Sequence, residues 1–308
     1  MLTRFVVLLA FGLLAAFPAS SAEYLPKVTL VTESVYAIVG PLGQRSQEND
    51  GLNVNYGFIV ASGGVILIDS GASLLGAKKI AATIRTVTKQ PVRWVINTGS
   101  QDHRWLGNAY FAQHGAQIIA LARTANSQQQ YAKQQIEGLQ RFLGDRLAGT
   151  IPLSTSQPID EATTLDLGGE SLVLRYTDAH FPGDAMVYLP KRGIVFAGDL
   201  VYADRLLGVL PWSSVKNGQK AFRALAALKP TKVVPGHGRV CDLAQAQRES
   251  GDYYDFLAET IGTAAKEMEA MDEVINRYAD MPAFRHLENY GSLHRTNMNR
   301  AFTEFEGQ

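Results

Sequence analysis

Short apolar runs rich in valine and isoleucine alternate along this chain with longer segments of helical period, an order that calls for a layered α/β fold. One series predicts strands over residues 28–31, 35–39, 56–61, 64–68 and 92–96, with a helix over 76–88. A second series predicts strands over 172–176, 186–189, 194–197 and 232–234, with a helix over 215–228. Two β-rich halves therefore imply two sheets packed face to face with helices outside.

The charge balance narrows the partners. Lys and Arg number 29 and so do Asp and Glu, so no global field gathers nucleic acid or an anionic membrane surface. The expected partner is a small molecule. The single cysteine, Cys241, forbids an internal disulfide, and stability must come from packing. Cys241 follows His237 by four positions; it reads as a soft metal ligand or as a buried small hydrophobe.

Residues 1–22 carry one early cation, Arg4, then an apolar stretch over 5–17 and the small-residue run Ala19-Ser20-Ser21-Ala22. This is the pattern of a secretory signal cleaved after Ala22, with an uncleaved anchor as the alternative. Cleavage leaves a periplasmic or secreted chain without stable membrane insertion.

Residues 23–241 then form the α/β domain and 242–308 a C-terminal helical extension. Within the first, residues 123–147 are polar and Gln-rich, with Tyr131, Ile136, Leu139 and Phe142 near helical period. They predict an amphipathic surface helix beside the site entrance. In the extension, Tyr253, Leu257, Ile261, Ala264 and Met268 predict one long amphipathic helix, and residues 293–302 another. Their apolar stripe docks on its own domain or forms a homo-oligomer contact. His114, His286 and His294 fall on predicted helices without paired ligands and read as ordinary core or surface histidines.

Chemistry-bearing residues gather after the strands. Thr177-Asp178-Ala179-His180, Phe196-Ala197-Gly198-Asp199 and Val234-Pro235-Gly236-His237 each end a strand, and Ile68-Asp69-Ser70-Gly71 ends an earlier one. After the strand over 92–96 comes Asn97-Thr98-Gly99-Ser100-Gln101-Asp102-His103-Arg104-Trp105-Leu106-Gly107-Asn108. In this order the motifs resemble those of the metallo-β-lactamase superfamily, whose first motif reads Asn-Thr-His-x-His-x-Asp-His followed closely by Gly-Asn. The resemblance covers most of the chain and implies a four-layer αββα sandwich with an added C-terminal helical segment. It also implies a zinc-hydrolase site in which the residue matching Asp199 bridges two metals, with those matching His180 and His237 serving one each.

The first motif departs from that pattern. A gapless alignment puts Gly99 and Gln101 at two histidine positions, His103 at the aspartate and Arg104 at the last histidine. A guanidinium cannot ligate a cation and repels it. Sliding by one residue instead matches Asp102-His103 to the family's Asp-His pair. One metal site then remains, with His103, Asp199 and His237 as ligands and Asp102 or His180 as a further one. One zinc ion, or another divalent metal, is the expected cofactor, and Asp102, His103 and Asp199 are the expected catalytic residues.

Four neighbours complete the candidate set. Arg104 pairs with Asp102 or Asp199, or binds a substrate carboxylate; Gln101 hydrogen-bonds a metal-bound water. The resemblance implies a supporting role for Asp69, and Asp184 is expected to orient a histidine by accepting its second N–H. Phe181 narrows the pocket, and Trp105 and Tyr202 line it or simply pack.

Two functions follow. One is an exported metal-dependent hydrolase of an ester, lactone, amide or β-lactam-like bond, working through a metal-bound hydroxide. The other is a catalytically inactive member of the same fold that serves in the periplasm as a binding or scaffold module.

Overall fold

The computed structural model describes residues 25–160 and 163–306, so the expected signal segment lies outside the described residues. Strands β1 (Lys27–Thr32), β2 (Val35–Val39), β3 (Tyr56–Ala61), β4 (Gly64–Ile68), β5 (Val92–Ile96) and β6 (Gln117–Ile119) form one sheet in chain order. Pairing is antiparallel as far as β4 and parallel from β4 to β6. Strands β7 (Thr164–Leu167), β8 (Glu170–Tyr176), β9 (Ala185–Leu189), β10 (Ile194–Phe196) and β11 (Lys232–Val234) form the second, in reverse spatial order, with β10 and β11 parallel.

Side-chain alternation decides what each face meets. In β3 and β4, Ile59, Ile66 and Ile68 point into the space between the sheets, where they meet Leu172, Leu174, Val187 and Phe196 of the second. Phe58, Val65 and Leu67 point the other way, against Ile80 and Ile84 of α1 (Leu74–Arg85). Such fully buried side chains each contribute about 1.5–3 kcal/mol of transfer free energy. The outer face of the second sheet is covered by α5 (Val215–Ala227) and by the C-terminal helices: Val195 and Val233 share a core with Phe222, Leu257, Met298 and Phe302. The layers are α, β, β, α.

The remaining elements carry the site or its walls. Two short helices, α2 (Asp102–Trp105) and α3 (Asn108–Gln113), follow β5, and α4 (Ala122–Leu143) follows β6. The C-terminal extension differs from the single long helix expected. Residues 243–266 form α6 (Leu243–Ala246), α7 (Asp252–Asp255) and α8 (Gly262–Lys266), joined by two π-helical stretches, Gln247–Gly251 and Phe256–Ile261. Each π stretch adds a residue to a turn and swings the apolar stripe to stay on the core. Then come α9 (Met271–Arg277) and α10 (Tyr290–Phe305). His286 lies in a turn before α10 rather than on a helix, and His114 caps the end of α3. Among the described residues no helix is long and apolar enough to cross a membrane.

Candidate functional site

The carboxyl ends of β4, β5, β10 and β11 lie side by side, and the residues that follow them converge. Asp69 turns the chain after β4 in a left-handed conformation, φ +63°. Its two carboxylate oxygens accept the backbone N–H and the hydroxyl of Thr98 at 2.7 and 2.6 Å. Asn97 and Asn108 exchange amide hydrogen bonds, and Asn97 also donates to the Arg104 carbonyl. Across the sandwich, the Asn55 amide donates to the carbonyls of Pro235 and Gly238, and Asn55 N–H to that of Gly236. Gly107 permits a close backbone approach, because a Cβ there would stand 2.0 Å from the Ser70 carbonyl oxygen.

Arg104 occupies the centre. Its Nη2 and Nε donate to the two oxygens of Asp199 at 2.5 and 3.1 Å, and its Nη1 donates to Asp69 Oδ2 and the Asn55 carbonyl. The side chain is 2% exposed. Burial alone would raise the Asp199 carboxyl, but the Arg104 charge, with His103 and His180, holds it well below the ordinary range. Asp69 shares the same guanidinium through one oxygen only, and burial together with the Asp199 charge leaves its carboxyl raised despite Arg104 and Thr98. Asp199 is thus the ionised partner of the fork.

Two imidazoles face the same carboxylate. His103 Nε2 lies 3.2 Å from Asp199 Oδ2 and His237 Nε2 lies 3.6 Å from Oδ1. Their other nitrogens decide the protonation. Arg205 Nη1 donates to His237 Nδ1 at 3.1 Å, so the ring proton of a neutral His237 sits on Nε2. Burial, then the Arg205 charge, pushes this histidine well below its usual value, which keeps it neutral. Arg45 Nη2 lies 3.3 Å from His103 Nδ1, and an Nε2 that faces an ionised carboxylate carries a proton in either case. His103 thus presents an N–H to Asp199 within hydrogen-bond distance, while the Nε2–H of His237 faces the same carboxylate from 3.6 Å, beyond it.

His180 has the opposite tautomer. Its Nδ1 donates to the Gly208 carbonyl at 2.9 Å, so in the neutral ring the lone pair sits on Nε2. Burial brings its pKa down to about 4. Tyr202 stands between the rings, stacked on His237 at 4.5 Å and tilted against His180 at 5.9 Å.

The other expected site residues lie further out. Asp102 turns away from Asp199: its Oδ2 accepts from Arg45 Nη1 at 2.5 Å and its Oδ1 from the His103 backbone N–H. Burial would raise this carboxyl, yet Arg45 and His103 hold it below the ordinary range. Asp184 accepts the Phe181 N–H at 2.7 Å and touches no histidine among the described residues, so the orienting role expected for it is absent. Burial raises its carboxyl well above the ordinary value. Gln101 reaches the cleft, its Oε1 buried without a partner among the described residues. A Cβ on Gly99 would come 2.7 Å from Asp184 Oδ1, so no side chain enters there without displacing it. Cys241 is buried in the second core and burial pushes its thiol up to about 12, as befits a small hydrophobe.

Trp105 is packed inside, donating to Ser100 and Gln135. Helix α4 forms one wall of the cleft above the cluster, where Tyr131 meets Phe181 and Trp212. Arg45 and Arg205 were not legible as site residues. Neither belongs to a motif, and both reach the histidines only through the folding of loops.

Comparison with known proteins follows the geometry. Residues 49–237 match the family model of the metallo-beta-lactamase superfamily. Over 106 residues, 33% of this chain, the sequence is 26% identical to the acyl-coenzyme A thioesterase MBLAC2 of Gallus gallus; the match spans 38% of that relative's length. Among solved structures, a metallo-beta-lactamase from Pontibacter korlensis has a TM-score of 0.60 at 21% identity, covering 75% of this chain and 99% of that one. A double mutant of the sec-alkyl sulfatase PisA1 has a TM-score of 0.71 at 14% identity, covering 92% of this chain and 50% of that one. The metallo-beta-lactamase FIM-1 from Pseudomonas aeruginosa, in its mono-zinc form, has a TM-score of 0.58 at 18% identity, covering 76% and 96%. At these identities the structural likeness is one of fold.

Proposed function

The chain belongs to the metallo-beta-lactamase superfamily, whose members generally bind zinc, and from that membership we propose that it is an exported small-molecule-binding member whose metal centre is replaced by an arginine–aspartate–histidine cluster. The observation that carries this reading is the fork of Arg104 on both oxygens of Asp199.

The spacing of the donors alone suits a cation. Tetrahedral zinc with bonds of about 2.0–2.1 Å holds its ligand atoms roughly 3.3 Å apart, and the two imidazole nitrogens stand 3.2 and 3.6 Å from Asp199. Charge and protonation oppose it. A metal-bound imidazole offers a lone pair and donates its other N–H to an acceptor. For His237 to do so, an N–H on Nδ1 would point at the guanidinium of Arg205, donor against donor. A divalent cation beside Arg104 also meets a fixed charge: at about 4 Å and an effective dielectric near 20, each pair of unit charges repels by about 4 kcal/mol. Among the described residues, no group of three or more His, Cys, Asp or Glu side chains is arranged to hold a metal ion. The residues do not fit zinc in this arrangement.

The cluster does fit an uncharged or oppositely charged guest. Asp199 is satisfied by the Arg104 fork and by the His103 ring, and the neighbouring cleft offers the aromatic rings of Tyr131, Phe181 and Trp212 beside the amides of Gln101, Gln134 and Gln135. Acyl compounds head the screen, because the curated relative matched in sequence is named an acyl-coenzyme A thioesterase. The test is metal content of protein purified without chelator, followed by chromogenic esters, lactones and a cephalosporin, with His237→Ala as control. No stoichiometric metal and no turnover are expected. Bound zinc together with turnover lost in H237A would return the hydrolase reading.

A further inference from the structure

The cleft beside the cluster has a volume of about 490 Å³, within the range of about 300–1,000 Å³ usual for small-molecule sites. One side is aromatic. Tyr131, Phe181 and Trp212 lie edge-on or tilted to one another, with ring centroids 5.2, 6.2 and 5.5 Å apart. Trp212 is 44% exposed, yet the loop that carries it is firmly tied. Ser213 Oγ accepts the Leu210 N–H and donates to the His180 carbonyl, both at 2.7 Å, and the Ser214 N–H donates to the Ala179 carbonyl at 2.8 Å. Arg300 of α10 holds the Val209 carbonyl. A wall fixed before any guest arrives loses little order on binding, so covering its rings with an apolar body is favourable.

The other side carries amides and one closed ion pair. Among the described residues, Arg45 and Asp102 are the only charged ones that line the cleft, and they hold each other. Arg45 Nη1 donates to Asp102 Oδ2 at 2.5 Å, while Asp102 Oδ1 accepts the His103 backbone N–H. Neither charge is left over for a guest. A charged head group would shed water here without gaining a counter-ion, which is costly. The remaining polar groups are glutamines. Gln135 is engaged by Trp105 and the Ser100 carbonyl, but the side chains of Gln44 and Gln134 are exposed and make no hydrogen bond among the described residues, and Gln101 lines the cleft with them. Each amide offers a donor and an acceptor together, which suits a neutral head that does the same.

We propose that the cleft takes an uncharged amphiphile, its apolar body on the Tyr131–Phe181–Trp212 wall and an amide or alcohol head against Gln44, Gln101 and Gln134. The closed Arg45–Asp102 pair makes the site select against carboxylates and amines of the same length. This deepens the small-molecule-binding reading above and rests on it for the site, although neither wall includes a residue of the Arg104–Asp199 fork.

The test is calorimetric titration of the full chain at neutral pH with octanamide, octanoate and octylamine, each below its micellar concentration, and with acetamide as the head group alone. Octanamide is expected to bind roughly ten-fold or more tightly than either charged congener, a difference of about 1.4 kcal/mol, and acetamide to show no measurable binding. Trp212→Ala weakens all three chain-bearing probes alike. Opening the ion pair converts the preference: Asp102→Asn frees Arg45 and raises octanoate affinity roughly ten-fold, and Arg45→Gln frees Asp102 and does the same for octylamine. If one of these is poorly folded by circular dichroism, the other carries the comparison, and the ranking in the parent chain needs neither. Octanoate or octylamine binding as tightly as octanamide, or a folded D102N or R45Q that ranks the probes as the parent does, overturns the proposal. Each titration is repeated after EDTA and with added zinc. Bound zinc with turnover lost in H237A sinks the metal-free reading, and an octanamide preference that survives EDTA then keeps this one; octanamide binding that requires zinc overturns it.

Discussion

Asn297, on the last helix, grips the backbone on both sides of Gly208: its Oδ1 accepts the Val209 N–H at 2.9 Å and its Nδ2 donates to the Leu207 carbonyl at 2.8 Å. Gly208 in turn holds His180 by its carbonyl. A residue sixty positions beyond the family-model match thus fixes the tautomer of a histidine inside it. Asn297→Ala would leave two buried backbone groups unpaired, at about 1–3 kcal/mol each. The expected result is a loss of roughly 2–4 kcal/mol in urea denaturation and a mixed His180 tautomer by nitrogen NMR. A destabilised variant with an unchanged tautomer would confine Asn297 to a role in packing.

Arg104→Ala uncovers Asp199 and Asp69 together. Removing one partner of a buried ion pair costs about 3–5 kcal/mol, because the charge left behind is not compensated. The same change removes the repulsion that keeps a cation out. Zinc is therefore expected to raise the melting temperature of R104A by binding its native state, and to leave that of the parent chain unchanged. Calorimetric scans with and without zinc check both.

Gly107→Ala tests a backbone contact rather than a charge. Gly107 has an ordinary negative φ of −81°, so strain is not the issue. The added methyl would strike the Ser70 carbonyl and the Ala77 side chain, both buried and held by the sheet and α1. A destabilisation of about 3 kcal/mol or more is expected, as for overpacking against atoms that cannot retreat, and expression with denaturant melts reads it.

Most of this architecture was legible from periodicity. The runs 35–39, 56–61, 64–68 and 92–96 became β2 to β5 with those bounds, because each is a compact Val/Ile-rich segment ended by turn residues. Strands β6 and β7 were missed. β6 has three residues and β7 has alternating exposed and half-buried positions, so neither shows an apolar run. The π-helical stretches in 243–266 leave the three- and four-residue spacing almost intact and cannot be told from a continuous helix. At the site, the pairing of Arg104 with Asp199 is one of the alternatives open from sequence, since it needs only an arginine in the metal motif. Arg205 beside His237 has no such signal. Its place depends on the Leu42 and Gly43 carbonyls, more than 160 positions away.

Asp184 gives the last expectation, a stability change whose sign depends on pH. In the folded chain burial, then the charge of Asp199, lifts this carboxyl well above its usual value. Unfolded, it ionises near pH 4 like any aspartate. Above that pH the unfolded chain has released a proton that the native chain still holds, so rising pH favours unfolding until the native group also ionises. Asparagine has no proton to lose, and its Oδ1 can still accept the Phe181 N–H. Asp184→Asn is therefore expected to differ little from the parent at pH 4 and to be more stable at pH 8, by about 1.4 kcal/mol for each unit by which the native group is raised. Urea denaturation at pH 4, 6 and 8 measures the increment. A constant difference across that range would mean that Asp184 titrates alike in both states, with its burial compensated by partners other than Phe181.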